Sequence, residues 1–305
     1  GGNGGAVLIN AGVAHGANAA TDVGGDASVT AGGAMVGTGG SVRLLSGYSK
    51  ATGSGQVSLT TSNNGFYGFT GDILANTGNA TSSGTSGSIR LNTGSSTGFD
   101  SGSVEVNTGP ASSGGSGNVV VSTGQGISGD AGDISLLGGQ GDTGAGALIK
   151  LRAGATTAAG AEGGFISLTG GNGLSTVDSM GGDVKLTGGA ALGAHKTTSV
   201  GGDIRLTGGA AASAPGGGIS LISGASEATH SGAIDVATNA AGTAGVSGRI
   251  AASTGTSTAG DSGAVSVQTG AAVGGAGGAI SLAVGGGDTV DGGNVLINAG
   301  DTSTS

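Results

Sequence analysis

The chain has no cysteine, no tryptophan and only 2 prolines, and its aromatic residues amount to 2% of 305. Without cysteine there is no disulfide framework and no thiolate metal site, while the redox compartment stays open. Without large aromatic side chains a conventional thick core cannot be built, so any core must be thin. Charge is scarce as well. Charged residues make up 9%, with 9 Lys and Arg against 18 Asp and Glu, a net −9, and the isoelectric point is near 4.4. Nucleic-acid binding requires a basic face to neutralise phosphates, so no nucleic-acid partner is expected. No run of about 18 apolar residues occurs, so no membrane span is expected. No signal peptide and no initiator methionine is found at Gly1-Gly2-Asn3-Gly4-Gly5, which reads as a mature or excised portion of something longer.

What is abundant is glycine, with 76 residues, against a usual share of roughly 7%. Glycine loses the most conformational freedom on folding, so a folded chain of this kind needs regular backbone hydrogen bonding. Gly and Ser enrichment is also the signature of disorder. Two observations oppose that reading: apolar residues reach 35% with a positive mean hydropathy, and they recur in strict register.

The repeat is G-x-[IV]-x-[LV]-x-[small]-G, clear in Gly87-Ser88-Ile89-Arg90-Leu91-Asn92-Thr93-Gly94 and Gly202-Asp203-Ile204-Arg205-Leu206-Thr207-Gly208-Gly209. Nineteen copies run from the one opening at Gly5 to the one opening at Gly293, and 14 of the 18 intervals are 15 or 16 residues. Ala147 alone opens a repeat without glycine, and only Ser62 and Asn239 replace the closing glycine. The motif has eight positions, from the opening glycine at position one to the closing glycine at position eight. Apolar and polar residues alternate with period two, the pattern of a strand with one buried face. The residues between repeats are Gly, Ser, Ala, Thr and Asp, which suit tight turns. Glycine brackets a six-residue run rather than recurring at every third residue, as a polyglycine or polyproline-II bundle would require.

Period and pattern together predict an all-β, single-domain parallel β-solenoid, or β-helix, of about 19 rungs, covering 1–305 as one continuous domain. Equivalent residues such as Ile89, Val104 and Val119 are then expected to lie over one another, in a body roughly 90 Å long at ~4.8 Å per rung. The first and last repeats, Gly5–Gly12 and Gly293–Gly300, are nearly identical and carry no polar cap. Rungs are therefore expected to continue in a longer chain or by head-to-tail stacking of subunits.

Residues able to carry chemistry are few. His15, His195 and His230 lie in separate inter-repeat segments, without metal-ligand spacing. Asp26, Asp72, Asp133, Asp183 and Asp203 stand at position two, and a ladder of Asp with Lys185 and Arg205 explains them better than a cation site. Gly138-Gly139-Gln140-Gly141-Asp142 departs from the calcium-binding nonapeptide in its period and in lacking aspartate columns. No dinucleotide or P-loop signature is found, because no strand-to-helix transition follows the glycines. No catalytic residue, cofactor or metal is expected, and the chain is not read as an enzyme. Three consecutive long segments, Ala155–Gly163, Asn172–Gly181 and Ala190–Gly201, are expected to form one ledge carrying Leu174, Val177, Met180, Leu192, His195 and Lys196 as a candidate partner contact. Gly65-Phe66-Tyr67-Gly68-Phe69 holds three of the six aromatics and is expected to pack on a return strand. Asn79-Ala80-Thr81 is a sequon, which makes Asn79 the candidate N-glycosylation site.

With these repeats the chain resembles the Gly-, Ser- and Thr-rich short-rung β-solenoids of surface adhesins, ice-binding proteins and extracellular filaments. That resemblance implies an extracellular scaffold or one at a cell or virion surface. The uniform, uncapped repeats and the lack of a site point to a structural role in a fibre with self-association, and glycans or a surface ligand are further expected partners. The alternative is an adhesin-type or ice-binding face. The latter wants a regular Thr array, whereas position six runs Asn76, Asn92, Asn107, Ser122, Leu137, Arg152. A carbohydrate-active β-helix would need carboxylates in an aromatic groove, for which the aromatics are too few.

Overall fold

The computed structural model describes residues 4–18, 21–64, 68–81, 84–193, 199–243, 245–288 and 291–300. The chain divides into two parts, Gly1–Ile149 and Lys150–Ser305. Each is a succession of the same two local elements, an extended repeat and a bent segment that leads to the next repeat.

Within repeats the alternation is realised. Arg205 donates to the Asp203 carboxylate through Nη2 at 2.6 Å and through Nε at 3.2 Å, and Lys185 Nζ lies 3.5 Å from Asp183 Oδ2. Ser103 donates to Glu105 at 3.5 Å, and Ser28 pairs with Thr30 at 3.4 Å. All are partners two residues apart, which touch only when the backbone is extended and alternate side chains share a side. Even positions therefore meet even positions, and the Val, Ile and Leu of positions three and five fall on the other side.

Between repeats the chain bends at a fixed place, for example at 35–37, 97–99, 127–129 and 227–229. Serine and threonine hold these bends by accepting backbone N–H groups ahead of them. Ser49 Oγ accepts from the amide of Thr52 at 3.0 Å, Ser226 Oγ from that of Thr229 at 3.0 Å, and Ser96 Oγ from that of Phe99 at 3.2 Å. Gly160 and Gly274 take φ of +73° and +80° in such segments, a region that costs a side chain but not glycine.

The all-β solenoid predicted from the period is not formed. Among the described residues there is no strand, no sheet and no helix, so the β-helix reading is corrected. No described residue is buried, and Ile89, Val104 and Val119, expected in one packed column, are 58%, 56% and 57% exposed. The accessible surface is 29769 Å². A packed protein of this mass would expose about 11,000 Å² and an unfolded chain about 40,000 Å².

The register explains the difference. A solenoid brings position one of a repeat over position one of the next. Here position one meets positions seven and eight of the preceding repeat, across the base of the bend. The amide of Gly40 donates to Gly32 at 2.8 Å, and that of Gly217 to Gly209 at 2.8 Å. Where this bond forms the bend closes on itself, and successive repeats meet end to start.

Candidate functional site

The geometry that recurs along both parts is the junction between repeats. It bears on the glycine at position one to differing degrees. A Cβ added at Gly102, Gly117 or Gly263 would stand 3.6, 3.7 or 3.5 Å from the methyl of Thr93, Thr108 or Thr254, an ordinary contact that leaves room for a small side chain. At Gly202 and Gly217 it would stand 3.1 Å from the backbone nitrogen of Gly189 and Gly209. Ala147, which opens its repeat with a side chain, is preceded at position seven by Gly138, which has none. A Cβ on Gly138 would come 3.2 Å from that of Ala147. The bend has close approaches of its own. Cβ atoms at Gly141 and Gly173 would stand 2.5 Å from the Ala145 carbonyl and 2.6 Å from that of Met180.

The second recurring feature is the apolar side of the repeats. Isoleucine, valine and leucine at positions three and five are half or more exposed in every described repeat, down to 50% at Ile149 and Ile166. This side carries no charged residue, because the charges of the repeats stand at even positions.

Of the predicted ledge, Leu174, Val177 and Met180 share one segment and are exposed, as is Leu192 in the next. The amide of Val177 donates to Ser175 Oγ at 3.3 Å, so a bend fixed by serine presents this trio. His195 and Lys196 lie outside the described residues. A ledge requires stacked rungs, and among the described residues no stack is formed to hold these segments together. Asn79 and Thr81 are exposed, as a sequon requires. Of the aromatic stretch, 65–67 lie outside the described residues, and Phe69 is 100% exposed rather than packed on a return strand.

The charged pairs Asp183–Lys185 and Asp203–Arg205 run along the chain within single repeats. Both are well exposed, so water and salt screen them and they add little. His15 and His230 are exposed. Among the described residues no three His, Asp or Glu converge as metal ligands, no cavity is enclosed, and no helix is long and apolar enough to cross a membrane. Sequence reasoning missed the junction as a contact between positions seven and one. The signal was there in the pairing of glycine at one with a small or β-branched residue at seven. Comparison with protein-family models, with curated proteins and with solved structures gives no match.

Proposed function

We propose that this chain is a structural, non-catalytic repeat protein of an extracellular or surface fibre, in which copies of the same chain cover one another's apolar positions. The observation that carries this reading is the row of half-exposed Val, Ile and Leu at positions three and five, repeated at 15 or 16 residues. An apolar side chain left in water is a driving force for association, about 1.5–3 kcal/mol for each one taken from full exposure to burial. Half of that per residue is small, but the period makes it recur in nineteen repeats. A second copy carries the same period, so its apolar positions recur at the same spacing. Low charge supports close approach: 9% of residues are charged against roughly 25% in an ordinary domain, and repulsion between copies is correspondingly weak.

The test is assembly as a function of concentration, by sedimentation and electron microscopy of the whole chain. The expected result is a threshold above which thin fibres form. The variant Ile134→Lys, which places a charge among the apolar positions, should raise that threshold. Particles that stay monomeric at the highest attainable concentration would overturn the proposal.

A further inference from the structure

The junctions fall into two classes. Those ahead of residues 25, 40 and 55, and the six ahead of 147 to 232, carry a hydrogen bond from the opening amide to the closing carbonyl, at 2.8 to 3.0 Å. The five ahead of 71 to 132 and the four ahead of 248 to 293 carry no such bond among the described residues. One position separates the classes without exception. In the bonded class position seven is glycine (Gly138, Gly170, Gly188, Gly208), alanine (Ala11, Ala31, Ala153) or serine (Ser46, Ser223). In the open class it is threonine in eight junctions and Val284 in the ninth.

The contacts supply the cause. In the open class the atom nearest a Cβ built on the opening glycine is a methyl of position seven: Thr93 Cγ2 at 3.6 Å for Gly102, Val284 Cγ1 at 3.2 Å for Gly293. In the bonded class no branching methyl intervenes and the backbone of the closing residue comes as near or nearly so: Gly12 N at 3.3 Å for Gly25, Gly32 N and Ala31 Cβ both at 3.3 Å for Gly40, and Gly47 N at 3.8 Å behind Ser46 Cβ at 3.6 Å for Gly55. At three of the four junctions where position seven is glycine the approach is closer still, since a Cβ on Gly170, Gly188 or Gly208 would fall on the carbonyl oxygen of Gly182, Gly202 or Gly217; at Gly138 it would stand 3.0 Å from the carbonyl oxygen of Ala147. Val284 shows that a hydroxyl is not needed to hold a junction open. Ser46 and Ser223 show that a hydroxyl without a methyl does not hold it open. The branched methyl, stiff at χ1, is the wedge.

Length does not sort the classes. The bonded junctions include the longest separations, 12 to 25 and 189 to 202, as well as the short ones, 32 to 40 and 209 to 217. Going from 8 to 13 residues disfavours closure by only roughly a factor of two.

We propose that the seventh residue of each repeat is a conformational latch written into the sequence. A small residue fastens the junction that follows, and a β-branched residue keeps it open. The latch divides the chain into fastened tracts, 12–55 and 139–232, and open tracts, 62–132 and 239–293. The assignment stands on the junctions alone and does not depend on self-association.

The test is amide hydrogen exchange at opening glycines in the dilute, ¹⁵N-glycine-labelled full chain. Thr108→Ser removes the methyl and keeps the hydroxyl, and should slow exchange at Gly117 about fivefold, the protection of one exposed hydrogen bond worth about 1 kcal/mol. Thr108→Val keeps a methyl and should leave Gly117 unchanged. Ala31→Val should release Gly40 to a rate like that of Gly117. Residue 108 is distant in sequence from 117, so intrinsic exchange chemistry is the same in all variants. An unchanged Gly117 in Thr108→Ser, or equal slowing in Thr108→Val, would overturn the latch.

Discussion

Heating the chain at a dilution where it is monomeric should produce no cooperative calorimetric transition. A packed protein of this mass would expose about 29,000 Å² on unfolding, from about 11,000 to about 40,000 Å². With 29769 Å² already accessible, only about 10,000 Å² remains to be exposed, a third of the ordinary change. Heat capacity follows area. A 305-residue domain would show about 4 kcal/mol/K, so a third of that, about 1.3 kcal/mol/K, is the ceiling here. The actual value should fall below it, because no apolar side chain among the described residues is buried and exposing polar surface lowers the heat capacity. Differential scanning calorimetry across a dilution series is the assay, with urea titration as a second reading, since its slope scales with the same area. A sharp endotherm at the lowest concentration, with a heat-capacity step near 4 kcal/mol/K, would refute the reasoning by revealing a core. A transition that appears only as concentration rises would instead be that of the assembly.

Two further outcomes follow from local geometry. Asp203→Asn removes the carboxylate from Arg205 while leaving the exposed backbone as it is, so the exchange rate at Gly202 should stay within the error of the unaltered chain; a change there of severalfold would show that the pair has a structural role. Expression through a glycosylating secretory route should add a glycan at the exposed Asn79, read as a mass increment that an N-glycosidase removes and Asn79→Gln abolishes; an unmodified Asn79 under conditions that modify a control sequon would remove this site.

Much of the local structure was legible in the residues. Alternation of Ile89 and Leu91 with Ser88, Arg90 and Asn92 announced an extended segment, and the contacts between Asp203 and Arg205 are the result. The bend at 97–99 falls where Ser, Thr and Gly collect, because the Ser96 hydroxyl can satisfy the amide of Phe99. The solenoid was not legible, although the period suggested it. Strict register of Val, Ile and Leu shows that the repeats are equivalent, and equivalence is satisfied equally by stacking and by an end-to-start succession. The same register weighs against an unpacked chain, yet the surface area of 29769 Å² is nearer that of an unfolded chain than of a packed protein of this mass. The ledge built from Leu174, Val177, Met180 and Leu192 depended on stacking, so its derivation failed with it. Smallness alone groups Thr93 with Ala31 and Gly188 and hides the one distinction that sorts the junctions.

By itself, then, the sequence determined everything that acts over a few residues: the eight-residue repeat, the side on which each residue stands, the place of each bend, and glycine at position one. Only the tertiary structure decided what a repeat meets, namely the end of the repeat before it across a closed or wedged junction. The physical reason is range. Alternation and turn chemistry are settled by neighbours within reach of a hydroxyl or an amide. Lateral pairing must outweigh the ordering of many residues, with two large side chains per repeat to set against it.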